Sequence, residues 1–143
     1  MSIKITVLAL REEYKEYETR PKMTAPERVV ELVKGMMLED KEAFILLSLN
    51  SKNGVIAIRT ISIGSLNANI VHPREVFKAA IFDSANGIIV AHNHPSGDPT
   101  PSREDIEITK KLVESGAFLG IPLLDHVIIG DDKYHSMKEA GHI

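Results

Sequence analysis

Apolar residues occupy the odd positions Ile3, Ile5, Val7 and Ala9 with Lys4 and Thr6 between them, the period-2 spacing of a half-buried strand. A charged, tyrosine-bearing stretch over 11–22 follows and reads as an exposed connector, with Tyr14, Tyr17 and Pro21 available to dock it. Thr24, Pro26 and Glu27 mark a helix start, and Val29, Val30, Leu32, Val33, Met36 and Met37 recur at helical spacing, which predicts a helix ending near Leu38. The run from Phe44 to Leu49 is almost continuously apolar, the signature of a central strand buried on both faces. Asn53-Gly54 signals a tight hairpin returning into a strand from about Val55 to Ile63, with Gly64 at a bend or bulge. His72-Pro73-Arg74-Glu75 opens a second helix through about Phe82, and Asp83 to Gly87 reads as a turn. A strand over Ile88 to Ala91 runs into two histidines. A third helix begins at Ser102, with Ile106, Ile108, Leu112 and Val113 as its apolar positions, and is expected to stop at Ser115 or Gly116. Leu123 to Ile129 predicts another buried strand entered from Pro122, Asp131-Asp132 a turn, and Tyr134 to Gly141 a short closing segment. There is no repeat and no low-complexity segment.

With 143 residues, 43% of them hydrophobic, the chain suits about one globular domain. It has no cysteine, which excludes disulfides and thiolate ligands and leaves His, Asp and Glu as the strong metal ligands. No run approaches the roughly 18 apolar residues of a membrane helix, and the N-terminus lacks a signal peptide's pattern, so a soluble cytoplasmic protein is expected. A net charge of −3 supplies no global field for nucleic acid, although a local basic patch is compatible with it.

The chemistry is concentrated between Ala91 and Asp105. Side chains of a strand repeat every second residue, so His92 and His94 leave the backbone on the same side. Pro95, Ser96, Gly97, Pro99 and Pro101 impose a loop, and Ser102-x-x-Asp105 then opens the third helix as a capping sequence. Two imidazoles and a carboxylate form a common ligand set for catalytic zinc, which keeps a fourth position for water. Hydrolysis of a peptide-like bond also needs a general base and an oxyanion donor, and Ser102 is the nearby candidate donor. The competing reading of Ser102 and Asp105 is plain helix capping. The two are compatible, because a hydroxyl can accept a cap bond and donate to a ligand.

His92-x-His94-x7-Ser102-x2-Asp105 resembles the JAMM metallopeptidase signature of the MPN (JAB) fold. More specifically, His92-Asn93-His94-Pro95-Ser96-Gly97 with Pro101-Ser102 and Leu124-Asp125-His126 resembles the bacterial RadC proteins. Glu42-Ala43-Phe44, Gly64 and His72-Pro73-Arg74-Glu75 recur in the family's order, so the similarity runs from about Thr24 to the C-terminus. The resemblance implies a single α/β MPN-like domain over 23–143 with cytidine-deaminase-like architecture, preceded by the strand and connector of 1–22. It also implies Zn²⁺ on His92, His94 and Asp105, Ser102 as oxyanion donor and Glu42 as acid/base. Most JAMM proteases have Ser or Thr between the histidines where Asn93 stands here. RadC proteins often carry a helical DNA-binding-type domain in front, for which this chain leaves no room.

Glu42 shares strand parity with Phe44 and Leu46, while its bland alternative is a solvated member of the run Glu39-Asp40-Lys41-Glu42, with Glu39 or Asp40 the residue that counts. His126, inside an apolar run, reads as a hydrogen-bonded core histidine or, with Asp125, as a partner orienting a ligand. His72 reads as a helix-entry residue, and His135 and His142 as surface. The adjacent His-Asn-His is not an HNH nuclease motif, whose residues are spread over a longer hairpin and helix. The expected architecture is a mixed sheet flanked by helices with the site at one sheet edge. The expected activity is zinc-dependent hydrolysis of a peptide or protein substrate. Three other classes stay open: a non-haem iron enzyme, a DNA-repair or recombination-associated binding module with a DNA-associated partner, and a catalytically silent scaffold.

Overall fold

Alternation along the strands decides the layering. In the computed structural model, which describes residues 16, 19–64 and 71–143, strand β1 (Glu42–Leu49) is buried from Ala43 onward. Ala43, Ile45, Leu47 and Leu49 enter one apolar cluster with Val29 and Val33. Phe44 and Leu46 enter a second cluster with Val76, Phe77 and Leu112. Helix α1 (Pro26–Val33), continued by a 3-10 turn over Lys34–Met36, therefore covers one face of the sheet. Helices α2 (Pro73–Phe82) and α3 (Arg103–Leu119) cover the other.

Strands β2 (Val55–Gly64), β3 (Gly87–Asn93), β4 (Leu123–Ile129) and β5 (Tyr134–Ser136) complete a five-stranded sheet in the order β2-β1-β3-β4-β5. β3 pairs antiparallel with β1 and parallel with β4, so the sheet is mixed. A parallel pair needs a crossover, and α3 provides it. The strand expected over Ile3 to Ala9 and most of the 11–22 connector lie outside the described residues. The connector's last residues run against the β1–β2 hairpin, where Pro21 O accepts the Val55 amide at 2.9 Å and Lys22 bridges to Gly54.

Four expectations change. The histidines sit at the carboxyl end of β3, the middle strand of the sheet, and not at a sheet edge, because β1 and β4 pair on either side of it. The hairpin is not a tight two-residue Asn-Gly turn. Residues 50–54 form the loop, with Asn53 at φ 59°, and the Asn50 carboxamide oxygen accepts the Lys52 and Gly54 amides at 3.0 and 2.9 Å. Gly64 stays in the ladder opposite Glu42, and the register shifts fall between Phe44 and Ile45 and between Ser48 and Leu49. Finally, α3 runs through Gly116 to Leu119. A Cβ at Gly116 would come within 2.5 Å of Ile121 O, so this glycine permits close packing rather than ending the helix. Gly120, at φ 72°, takes the left-handed position that stops it.

Among the described residues no helix is long and apolar enough to cross a membrane.

Candidate metal centre

Strand parity sorts the β3 side chains before any site is considered. Ile88 and Val90 belong to the α2/α3 cluster, and Ile89 and Ala91 to the α1 cluster. His92 follows the first pair and turns toward α3; Asn93 follows the second and turns toward the α1 side. His94 lies just past the strand, its amide bonded to Ile129 O at 2.9 Å, so the β3–β4 ladder holds it in strand-like register. The loop then doubles back through Gly97, at φ 86°, whose carbonyl accepts the Asp131 amide at 2.8 Å. A Cβ on Gly97 would meet the Asp131 carboxylate, and one on Gly130 would meet the Gly97 carbonyl, so the loop rests directly on the turn after β4.

At the far end of the loop Ser102 caps α3 with a complete capping box. Its Oγ accepts the Asp105 amide at 3.1 Å, and its own amide donates to Asp105 Oδ2 at 2.8 Å. The box aims the Asp105 carboxylate at the histidines. His92 Nε2 stands 3.1 Å from Asp105 Oδ1, His94 Nε2 3.2 Å from Oδ2, and the two Nε2 atoms 3.1 Å apart. With zinc bonds of about 2.0–2.1 Å, tetrahedral ligand atoms stand about 3.3 Å from each other, so this triangle has the size of one metal ion's ligand face. His92, His94 and Asp105 thus form a group that could hold a metal ion.

The other ring nitrogens show which atoms are free to bind it. His94 Nδ1 lies 2.8 Å from Asp98 O, and a carbonyl only accepts, so Nδ1 carries the proton and Nε2 of the neutral ring is a lone pair. His92 Nδ1 lies 2.8 Å from His126 Nε2. Without a metal, lone pairs and a carboxylate facing each other attract a proton instead. The Asp105 hydrogen bond accordingly raises the His94 imidazole above its ordinary value. Burial pushes the Asp105 carboxyl up, but the imidazoles of His92 and His94 beside it and the Ser102 amide outweigh it and hold the group far below the usual carboxylate range. His126 is fully enclosed. Burial, reinforced by the neighbouring His92, keeps its ring neutral by pushing it well below its ordinary value.

Glu42 and His92 share a sheet face, since Phe44 pairs with His92 and Glu42 lies two residues before Phe44. Both line a cavity of about 200 Å³ with Phe44, Asp105 and Ile108. Glu42 is also within Coulombic reach of His94. Glu39 and Asp40 are exposed and do not line that cavity.

Two residues were absent from the sequence-based site. Asn93, which appeared only as a departure between the histidines, accepts the Ala43 amide at 2.8 Å and donates to Leu38 O and Lys41 O at 2.8 and 2.9 Å. Its carboxamide ties down the backbone on both sides of Glu42. Thr109, one helical turn after Asp105, bonds both the Asp105 carbonyl and His126; that i, i+4 spacing was the available signal. Of the pair Asp125-His126, only His126 meets a site histidine. Asp125 is structural, accepting the His126 and Lys138 amides and the Ser136 hydroxyl to tie β4 to the closing segment. His72 is the N-cap residue of α2, but its side chain makes no cap bond. His135 is half-buried rather than on the surface, with Nε2 enclosed and unpaired, because β5 packs beside β4; His142 is exposed.

A mixed sheet with a His-x-His at the end of its middle strand, facing a capped helix that returns to the sheet, defines a JAB/MPN-like domain. The chain belongs to the RadC family: the model of the RadC-like JAB domain matches residues 23–142. It is 63% identical over 121 residues to a UPF0758 protein of Caldanaerobacter subterraneus subsp. tengcongensis, covering 84% of this chain and 52% of that protein. UPF0758 proteins of Bacillus cereus strain G9842 and Bacillus anthracis strain CDC 684 are each 56% identical over 129 residues, 90% of this chain and 57% of theirs. The chain spans about half the length of the curated relatives it matches.

Proposed function

We propose that this domain is a zinc-dependent hydrolase of the JAMM type, cleaving a peptide or isopeptide-like amide in a peptide or protein substrate. The observation that carries the reading is the triangle of His92 Nε2, His94 Nε2 and the Asp105 carboxylate at 3.1–3.2 Å. His94 can offer its Nε2 lone pair because its other nitrogen is bonded to Asp98, and the carboxylate is aimed by the Ser102 cap.

A zinc ion held by His92, His94 and Asp105 would supply Lewis acidity and a water with its pKa lowered to about 7. The chain's own residues supply the remainder. Glu42, at the mouth of β1 in the same cavity, accepts the proton of the attacking water and delivers it to the leaving nitrogen, so the amide ends as a carboxylate and an amine. Ser102 Oγ accepts the cap bond with a lone pair and keeps its proton to donate to the oxyanion. Phe44, Val71 and Ile108 give the cavity an apolar wall against which an extended side chain can lie.

Protein purified without chelator should carry about one zinc per chain, and His94→Ala should lose most of it while remaining folded, because the two apolar clusters do not depend on the metal. Full zinc retention in His92→Ala/His94→Ala would sink the reading. Metal analysis also separates zinc from iron on the same three side chains. DNA is the weaker partner, since among the described residues Glu42, Glu104, Asp105 and Glu107 line the cavity with one lysine, Lys111.

A further inference from the structure

Behind the ligands, a chain of hydrogen bonds runs through the protein interior from the α3 backbone at Asp105 to His92. Thr109 Oγ1 lies 2.6 Å from Asp105 O and 2.7 Å from His126 Nδ1. His126 Nε2 lies 2.8 Å from His92 Nδ1. His126 and Thr109 are both fully buried, so no water competes for these bonds. The directions follow from one end. A carbonyl only accepts, so the Thr109 hydroxyl proton points at Asp105 O, and the hydroxyl oxygen is left as the acceptor for His126 Nδ1–H. A neutral imidazole has one N–H, so His126 Nε2 is a lone pair and must accept from His92 Nδ1–H. His92 Nε2 is then the free lone pair.

We propose that Thr109 and His126 are positioning residues that lock His92 in the Nδ1–H tautomer, so that its Nε2 is always presented to the metal. The lock originates in the helix backbone at Asp105, the residue whose carboxylate completes the same ligand triangle. The orientation of His92 is therefore tied to the seating of α3, and both ligands move as one unit. Phe44 holds the arrangement from the side, stacked on His92 at 5.8 Å and edge-on to His126 at 5.7 Å. Neither Thr109 nor His126 touches substrate or metal in this scheme; both act through His92.

This inference rests on the metal reading of the site, and its test separates the two. Thr109→Val keeps the shape of the side chain but removes the acceptor, which frees His126 to move its proton to Nε2 and force His92 into the tautomer that blocks its ligand atom. Thr109→Ser keeps the hydroxyl and serves as the rescue. Zinc affinity is measured by competition with a chelator, and imidazole nitrogen NMR of the metal-free proteins, at alkaline pH where no extra proton is shared among the ligands, reads the tautomers directly, including in the unaltered protein. The expected result is Nδ1–H on His92 in wild type and Thr109→Ser, a shift to Nε2–H in Thr109→Val, and zinc binding about 10- to 100-fold weaker in Thr109→Val alone. His92 found as Nε2–H in the unaltered protein overturns the proposal whatever the variants do. So does a folded Thr109→Val that binds zinc as tightly as wild type. A wild type with His92 as Nδ1–H but no zinc affinity would overturn the metal reading and leave the tautomer lock in place.

Discussion

Two aspartates stand at opposite ends of β3, and their surroundings have little in common. Asp83, just before the strand, is held by Arg59 through Nε at 2.9 Å to both carboxylate oxygens and through Nη2, and it accepts the Ser48 hydroxyl at 2.7 Å. Its charge is neutralised by a neighbour that the fold itself supplies, and Arg59 also lies 5.1 Å above the Phe82 ring. Asp105, beyond the other end, faces two histidine nitrogens aligned as acceptors, and the donor that the fold fixes on its carboxylate is the Ser102 backbone amide of the capping box. One carboxylate has its cation built in; the other belongs to a group that could hold a cation from outside. The difference separates a structural ion pair from a candidate ligand set, although both are partly buried carboxylates at a sheet end.

Removing the proposed base, Glu42, tests the contrast most severely, because it should silence one end while touching neither carboxylate. Glu42→Gln keeps size and much of the hydrogen bonding but cannot accept a proton, so hydrolysis should fall by about 10²- to 10⁴-fold at unchanged zinc content. Glu39→Gln, on an exposed residue outside the cavity, should do little. If Glu39→Gln abolishes turnover and Glu42→Gln does not, the base has been misplaced, though the ligand triangle stands.

Much of this was legible in the chain because the signals were local. The apolar runs behind β1 and β4, the Pro-opened helices and the His-x-His with its Ser-x-x-Asp cap each depend on neighbours within a few residues. What was missed depended on contacts across the sheet. Gly116 looks like a stop from its own helix and becomes a close-packing position only when Ile121 returns beneath it. The middle position of β3 depends on pairing with segments before and after it. His126 is the instructive case. A register shift between Ile88 and Ile89 changes how β4 is counted, so that His126 pairs with Val90 and faces α3 while Asp125 turns away. Alternation in the sequence could not have chosen between those two neighbours. Asn93 was visible, but its three bonds reach residues at least 50 positions away.

Ser102, the proposed oxyanion donor, sharpens the comparison at the open end. Ser102→Ala removes a cap and should cost about 1 kcal/mol of stability. If the hydroxyl also serves the oxyanion, turnover should drop by about 10²- to 10³-fold with zinc retained. Ser102→Asn separates the two effects, because asparagine caps well but moves the donor. Normal turnover in that variant, measured at full zinc occupancy, would leave Ser102 as a cap alone.

The closed end gives the smallest effect and the most direct check on the distinction. Arg59→Met keeps the aliphatic stem against Phe82 but leaves the Asp83 carboxylate, only 3% exposed, without its guanidinium. Breaking a buried pair from one side costs about 3–5 kcal/mol; Arg59 retains 22% exposure, and solvent screening reduces the expected loss to about 2 kcal/mol in chemical unfolding. Adding Asp83→Asn should recover part of that loss, because a neutral carboxamide no longer carries an unpaired charge and can still accept from Ser48. Zinc content should not change in either variant, since the pair sits at the opposite end of β3 from the histidines. A double variant that is additive, with no recovery, would mean that Asp83 is stabilised by something other than Arg59. Loss of zinc in the single variant would mean that the two ends are coupled through β3, and the division into a self-contained pair and a metal-seeking triangle would fail.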